Sequence, residues 1–217
     1  MPDYAAQRAN MVEAQLRTND VGSRPIQAAM AAIPREKFVP QNRHATAYSD
    51  MPVEVAPGRY LLDPRSFSKL LMLADITPAD SVLDVGCATG YSSVVLAQLA
   101  ANVIALEQDA DLVRMASELV PGSGAANATV VQGSLIEGYR SKAPYDVIIV
   151  EGAIEEPPQT LLSQLGEGGR LVAVLQNGVV GRAHLFVREK GQIGSRADFD
   201  ATVPTLVGFR KTIGFVF

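Results

Sequence analysis

The chain has 217 residues, enough for one domain with a full core and a modest appendage. Hydrophobic residues make up 47% and charged residues 19%, which excludes a disordered chain. With a net charge of −4, no Lys/Arg run and no apolar stretch of about 18 residues, neither a nucleic acid nor a membrane is an expected partner.

The N-terminus, Met1-Pro2-Asp3-Tyr4, shows no basic segment followed by an apolar run, so the expected location is the cytoplasm. Asp3 can cap a helix from about Tyr4 to Thr18, and Ser23 one from about Arg24 to Ile33, stopped by Pro34. A loop region with Pro40, Pro52 and Pro57 follows. Asp63-Pro64 then caps a helix carrying Phe67, Leu70, Leu71 and Ala74 at helical spacing. Residues 1–65 thus read as a helical cap on a larger domain, 66–217, the two forming one compact unit.

From Ser81 the texture alternates. Strand 82–85 leads to a helix over about 90–100, and strand 103–106 to a helix near 109–119 that Pro121-Gly122-Ser123-Gly124 breaks. Thr129-Val130-Val131 and Asp146–Val150 make a third and a fourth strand. Pro157-Pro158 opens a helix through Leu165, and Gly168-Gly169 leads into a fifth strand, 171–174. Uninterrupted β-branched runs between helices indicate a parallel sheet covered on both faces. Ala183–Arg188, about Ala197–Val203 and Thr212–Phe217 read as antiparallel edge strands. Phe215-Val216-Phe217 suits edge-strand core or a docking peptide.

Parallel sheets bind ligands beyond the carboxyl ends of their strands, here 86–90, 107–108, 133–135 and 151–153. Val82-Leu83-Asp84-Val85-Gly86-Cys87-Ala88-Thr89-Gly90-Tyr91 is a strand, a glycine turn and a helix start. Such a turn bares backbone N–H groups, and Glu107 at the next strand's tip can accept hydrogen bonds from ribose hydroxyls. A dinucleotide fingerprint would put its third small residue at Tyr91. Here small residues fall at Gly86, Ala88 and Gly90, which favours S-adenosylmethionine over a nicotinamide dinucleotide. The alternative for Glu107 is a solvated strand end beside Asp109 and Asp111. Cys87, the only cysteine, permits no internal disulfide, fits a reducing compartment, and reads as a small filler in the turn. His44 and His184 read as surface or loop residues, and no metal-ligand cluster is seen.

Three regions resemble the protein-L-isoaspartate O-methyltransferase family. The first is Met11–Arg17 with Ala29-Met30, Ile33-Pro34-Arg35-Glu36-Lys37-Phe38-Val39-Pro40 and Ala47-Tyr48-Ser49-Asp50. The second is the turn at 82–91. The third is Pro144–Val150 with Gln164-Leu165 and Gly168-Gly169-Arg170-Leu171-Val172 behind it. Val203-Pro204 echoes a further motif. The resemblance implies an α/β, doubly wound, mostly parallel seven-stranded sheet of the Rossmann-like methyltransferase type with an antiparallel C-terminal edge. It also implies methyl transfer from S-adenosylmethionine to the carboxylate of isoaspartate in damaged proteins. By the family's pattern Glu107 binds the ribose and Asp84 orients the cofactor's amino-acid end. The implied cofactor set is Asp84, Gly86, Cys87, Ala88, Gly90, Tyr91, Glu107, Gln108, Gly133, Ser134, Leu135 and Glu151, and the implied catalytic set is Arg59, Tyr60, Leu62 and Asp63.

The departures lie on the substrate side. Counted without gaps from Tyr48, the family's Thr-Ile-Ser motif falls on Tyr60-Leu61-Leu62, so Leu62 holds the serine position. The flanking glutamines are Arg59 and Asp63. A Gly-Asp-Gly turn becomes Gly133-Ser134-Leu135, and a threonine becomes Glu151. If they face the acceptor, Glu151 and Asp63 repel a carboxylate, whereas Arg59 can grip one bidentately. The plain alternatives are a helix cap for Asp63, a surface pair with Glu54 for Arg59, and packing of cap onto sheet for Tyr60, Leu61 and Leu62. Three functions stand open: the isoaspartyl enzyme acting on protein or peptide, a methyltransferase of this fold with another acceptor such as a small molecule, and a non-catalytic adenosyl-nucleoside binder. A monomer or a weak homodimer through the C-terminal edge is expected.

Overall fold

The computed structural model describes residues 2–176 and 178–209. Asp3 accepts from the Ala6 amide and starts α1 (Tyr4–Met11). The helical run continues to Asn19 as expected, but it widens to a π turn over Val12–Leu16 and tightens over Arg17–Asn19. Thr18 Oγ1 and Asn19 Nδ2 donate to the Ala14 and Gln15 carbonyls, closing that end. Ser23 caps α2 (Arg24–Ala32), and Asp63 caps α3 (Pro64–Ala74) through the Ser66 amide at 2.8 Å.

The proline-containing loop between α2 and α3 is more ordered than its sequence suggests. It carries 3-10 turns at Arg35–Phe38 and Gln41–Thr46 and a small antiparallel hairpin, β1 (Val53–Ala56) and β2 (Arg59–Leu61). Pro57-Gly58 makes its turn, with Gly58 at φ +70. Side chains alternate along the hairpin, so Val53, Val55, Arg59 and Leu61 are buried while Tyr60 is half-buried.

The main sheet is built from β3 (Ser81–Val85), β4 (Asn102–Glu107), β5 (Ala128–Gln132), β6 (Tyr145–Ile154), β7 (Leu165–Leu175), β8 (Arg182–Glu189) and β9 (Gln192–Asp200), in the order β5-β4-β3-β6-β7-β8-β9. β3 to β7 are mutually parallel, and β8 and β9 add an antiparallel edge. The connecting helices are α4 (Tyr91–Ala97), α5 (Ala110–Gly122) and the short α6 (Gln159–Leu162). α1, α2 and α3 share one buried apolar cluster with α4, α5 and one face of the sheet. Leu83, Ile148, Leu161, Leu165 and Leu171 belong to a second cluster on the other face. The α/β, doubly wound reading with an antiparallel edge is therefore the observed architecture.

Several boundaries differ from expectation. β9 begins at Gln192 and ends at Asp200, where a strand over about Ala197–Val203 is expected, and α4 ends at Ala97 rather than near 100. α5 runs on to Gly122 with Pro121 in its last turn, and Gly124 at φ +82 turns the chain. α6 stops at Leu162, well short of Leu165. Gly168-Gly169 does not precede the fifth strand but lies inside β7, where the register with β6 shifts; a Cβ on Gly169 would sit 2.8 Å from the Gly166 carbonyl oxygen. Only a glycine allows that close a backbone fold. The edge segment expected at Thr212–Phe217 lies outside the described residues. Among the described residues, no helix is long and apolar enough to cross a membrane.

Candidate functional site

β4 and β5 extend the sheet on one side of β3, and β6 and β7 on the other. The strand order reverses at β3, so the crevice for a ligand lies beyond its carboxyl end, where Gly86–Gly90, Glu107 and Glu151 converge. Asp84 on β3 is fully buried, and its Oδ2 accepts from Ser92 Oγ (2.7 Å) and Ser93 Oγ (2.6 Å) on α4. Its Oδ1 has no partner. Burial raises its carboxyl to about 6, with the two serine hydrogen bonds opposing.

That shift has a consequence for stability. Between about pH 4 and 6 folded Asp84 still holds a proton that the unfolded chain has released, so stability falls as pH rises through this window. The contribution is about 3 kcal/mol. Glu151, pushed well above the ordinary carboxylate range by burial and by Asp84, acts in the same direction. Urea unfolding at pH 4.5 and 7 should show the loss in the natural chain, and Asp84→Asn should remove Asp84's share of it.

The turn after β3 is tight. Gly86, Ala88 and Gly90 adopt φ of +86, +50 and +91. A Cβ on Gly90 would lie 2.4 Å from Val120 Cγ2, so its lack of a side chain lets α4 start against α5. The expectation of bared amides is not met. The Gly86 and Cys87 amides donate to the Leu106 carbonyl, that of Gly90 to Cys87, and that of Ala88 to Glu107 Oε2 at 2.9 Å. The turn spends these N–H groups on holding itself and β4 together. Cys87 is buried and its thiol is pushed up by burial, as suits a filler.

Glu107 is fully buried, so it is not a solvated strand end. Its Oε1 accepts from the Gln108 (2.7 Å) and Asp109 (3.0 Å) amides and from Arg59 Nη1. Its Oε2 accepts from Ala88 N and from Arg59 Nη2 at 2.7 Å. Arg59 Nη2 also donates to the Gly86 carbonyl at 3.1 Å. Arg59, 4% exposed, therefore reaches across from the hairpin and grips the candidate ribose acid. It makes no surface pair with Glu54, which instead meets Arg43 at 3.7 Å.

A cavity of about 10 Å³ remains beneath the hairpin, lined by Arg35, Tyr60, Leu62, Gly86, Tyr91 and Glu151 among others. Glu151 follows the last β3–β6 pair, Val85–Val150, where the β6–β7 register shifts. Its Oε1 has no partner, nor have Arg35 Nη1 and Tyr91 OH. Of the expected catalytic set, Tyr60 and Leu62 line this cavity, Asp63 acts as the α3 cap, and Arg59 is on Glu107. Gly133 donates its amide to the Glu107 carbonyl at 2.9 Å; Ser134 is exposed and Leu135 buried. Gln108 is half-buried beside Glu107. His44 and His184 lie in a 3-10 turn and in β8, away from the crevice.

Two contributors escaped the sequence reading of the site. Arg35 is fully buried, donates to the Ala47 and Leu62 carbonyls at 2.7 Å each, and lies over the Tyr91 ring at 4.7 Å. Its place inside a run of family-like residues was visible, but its partners were not. Leu206 sits on the turn: a Cβ on Gly86 would be 3.1 Å from Leu206 Cδ1 and 3.3 Å from Arg59 Nη2. Main-chain bonds of Ala153 with Pro204 and Leu206, both 2.8 Å, fix that segment to β6. No periodicity marks it.

Residues 6–205 match the model of the protein-L-isoaspartate(D-aspartate) O-methyltransferase family. The chain belongs to that family. A protein-L-isoaspartate O-methyltransferase of Koribacter versatilis is 35% identical over 205 residues, covering 94% of this chain and 92% of the relative. One of Methanoculleus marisnigri is 40% identical over 167 residues, 77% of this chain and 76% of the relative. A solved protein-L-isoaspartate O-methyltransferase superposes with a TM-score of 0.81 at 24% identity over 93% of this chain and 66% of its own. A Plasmodium falciparum protein solved with S-adenosyl-L-homocysteine gives 0.79 at 20% identity over 92% and 97%. These two likenesses concern the fold. The resemblance drawn from the sequence motifs is thus borne out, and the family's turn, with Ala88 as its middle residue, ends in a crevice that this chain closes with Arg59 and Leu206.

Proposed function

We propose that the chain is an S-adenosylmethionine-dependent carboxyl O-methyltransferase acting on isoaspartyl residues of proteins or peptides. The observation that carries this reading is Glu107: a fully buried acid at the strand tip, tied by its Oε2 to the Ala88 amide of the turn. Its place at the sheet's switch point suits a ribose. Asp84 Oδ1, Glu151 Oε1, Arg35 Nη1 and Tyr91 OH support the fit, since buried polar atoms without partners call for them. They comprise acceptors and donors, as an amino-acid zwitterion requires. When bound, the cofactor supplies a methyl group already activated by a sulfonium.

The protein's own work is then alignment and exclusion of water, because an ionised carboxylate needs no general base. Asp84, Gly86, Ala88, Gly90, Glu107 and Glu151 are the proposed cofactor side, with Cys87, Tyr91, Gln108, Gly133, Ser134 and Leu135 packing or flanking it. Tyr60 and Leu62 are the proposed acceptor side, and Asp63 positions them by fixing the start of α3. Burial pushes the Glu151 carboxyl well above the ordinary carboxylate range, which disfavours its charged form and so weakens its repulsion of an acceptor carboxylate. Incubation of the purified chain with methyl-labelled S-adenosylmethionine and an isoaspartyl peptide should yield a base-labile methyl ester on that peptide and none on its aspartyl counterpart. Equal labelling of both, or of neither, contradicts the isoaspartyl assignment.

A further inference from the structure

We propose that Arg59 is an internal occupant of the ribose subsite, a latch that adenosyl ligands must displace, and so the residue that sets their affinity. The inference rests on the reading of Glu107 as the ribose acid. A carboxylate offers about four lone-pair sites. Glu107 already receives the Ala88, Gln108 and Asp109 amides and two guanidinium N–H groups. Nothing is left to accept a ribose diol while Arg59 stays. The backbone donors belong to the turn and to the start of α5, so the guanidinium is the donor that can leave. It stands on β2, a three-residue strand whose one sheet partner among the described residues is β1.

Space points the same way. The cavity beside the turn measures about 10 Å³, whereas pockets for ligands of this size span about 300–1,000 Å³. On the hairpin's outer side an open cleft of about 500 Å³ is lined by Gly58, Tyr60, Pro204, Thr205, Val207 and Gly208. Tyr60 belongs to both, so Tyr60 and its neighbour Arg59 form the partition between the cleft and the turn. Arg59 and Leu206 together cover the turn, and Arg59 is the one of the two that occupies Glu107, so its withdrawal frees the carboxylate. A glutamine, the residue the family pattern places here, is shorter and uncharged and cannot span both carboxylate oxygens.

The test is calorimetric titration of S-adenosyl-L-homocysteine into the natural chain, Arg59→Gln and Arg59→Met. Removing the competing group should tighten binding by at least about tenfold in both variants, since apparent affinity scales with the open, binding-competent fraction and the latched chain is open a small part of the time. A purely structural role predicts the opposite sign. Glu107 keeps its three amide donors in either variant, and the second variant guards against a folding defect peculiar to the first. Equal or weaker binding by both variants overturns the latch and leaves the methyltransferase reading standing. No binding by any of the three proteins overturns that reading, and the latch with it.

Discussion

Gly90→Val should fail to accumulate as folded protein, and Gly90→Ala should lose about 2–6 kcal/mol of stability in urea unfolding. The left-handed backbone at φ +91 accounts for about 1–3 kcal/mol of that range. The remainder comes from steric conflict: a Cβ here lies 2.4 Å from Val120 Cγ2, and the Ala116 Cβ is 3.5 Å away. α4 and α5 would have to separate, and with them the turn that carries Ala88 to Glu107. A loss of under about 1 kcal/mol in Gly90→Ala would mean that the helices do not meet as described.

The second large effect concerns the ion pair. Glu107→Gln should cost about 3–5 kcal/mol, because Arg59, 4% exposed, keeps its charge, loses its counter-charge and must share the one remaining side-chain oxygen with the turn amides. Adding Arg59→Met should restore most of the loss. The one side-chain oxygen introduced by Glu107→Gln would still accept from the backbone amides on one side, and the buried charge would be gone. A denaturant double-mutant cycle measures the coupling. Additive effects of the two substitutions would show that the guanidinium and the carboxylate do not meet.

The sheet was legible because its strands are apolar runs: Val147-Ile148-Ile149-Val150 can only be a strand buried on both faces. The caps were legible because Asp3, Ser23 and Asp63 act within three residues of themselves. Glu107 was legible from its position at a strand tip. Arg59 was not. The alternation of Val53, Val55, Arg59 and Leu61 shows that it points inward, but its partner is 48 residues away, and neither propensity nor spacing reports such a contact. The same applies to Leu206, which reaches Gly86 only because residues 204–206 bond to the end of β6. The turn amides were misjudged for a related reason. A glycine turn frees backbone to approach a ligand, but it equally frees it to approach its own neighbouring strand, and here Leu106 and Glu107 take the donors.

Glu107 as the acid that holds an adenosyl ribose is the claim on which the rest stands. Equilibrium dialysis of S-adenosyl-L-homocysteine against Arg59→Gln and against the double substitution Arg59→Gln with Glu107→Ala tests it without leaving an unpaired arginine in either protein. The single variant should bind and the double variant should not. Equal retention of the ligand by the two would place the nucleoside elsewhere and contradict the account.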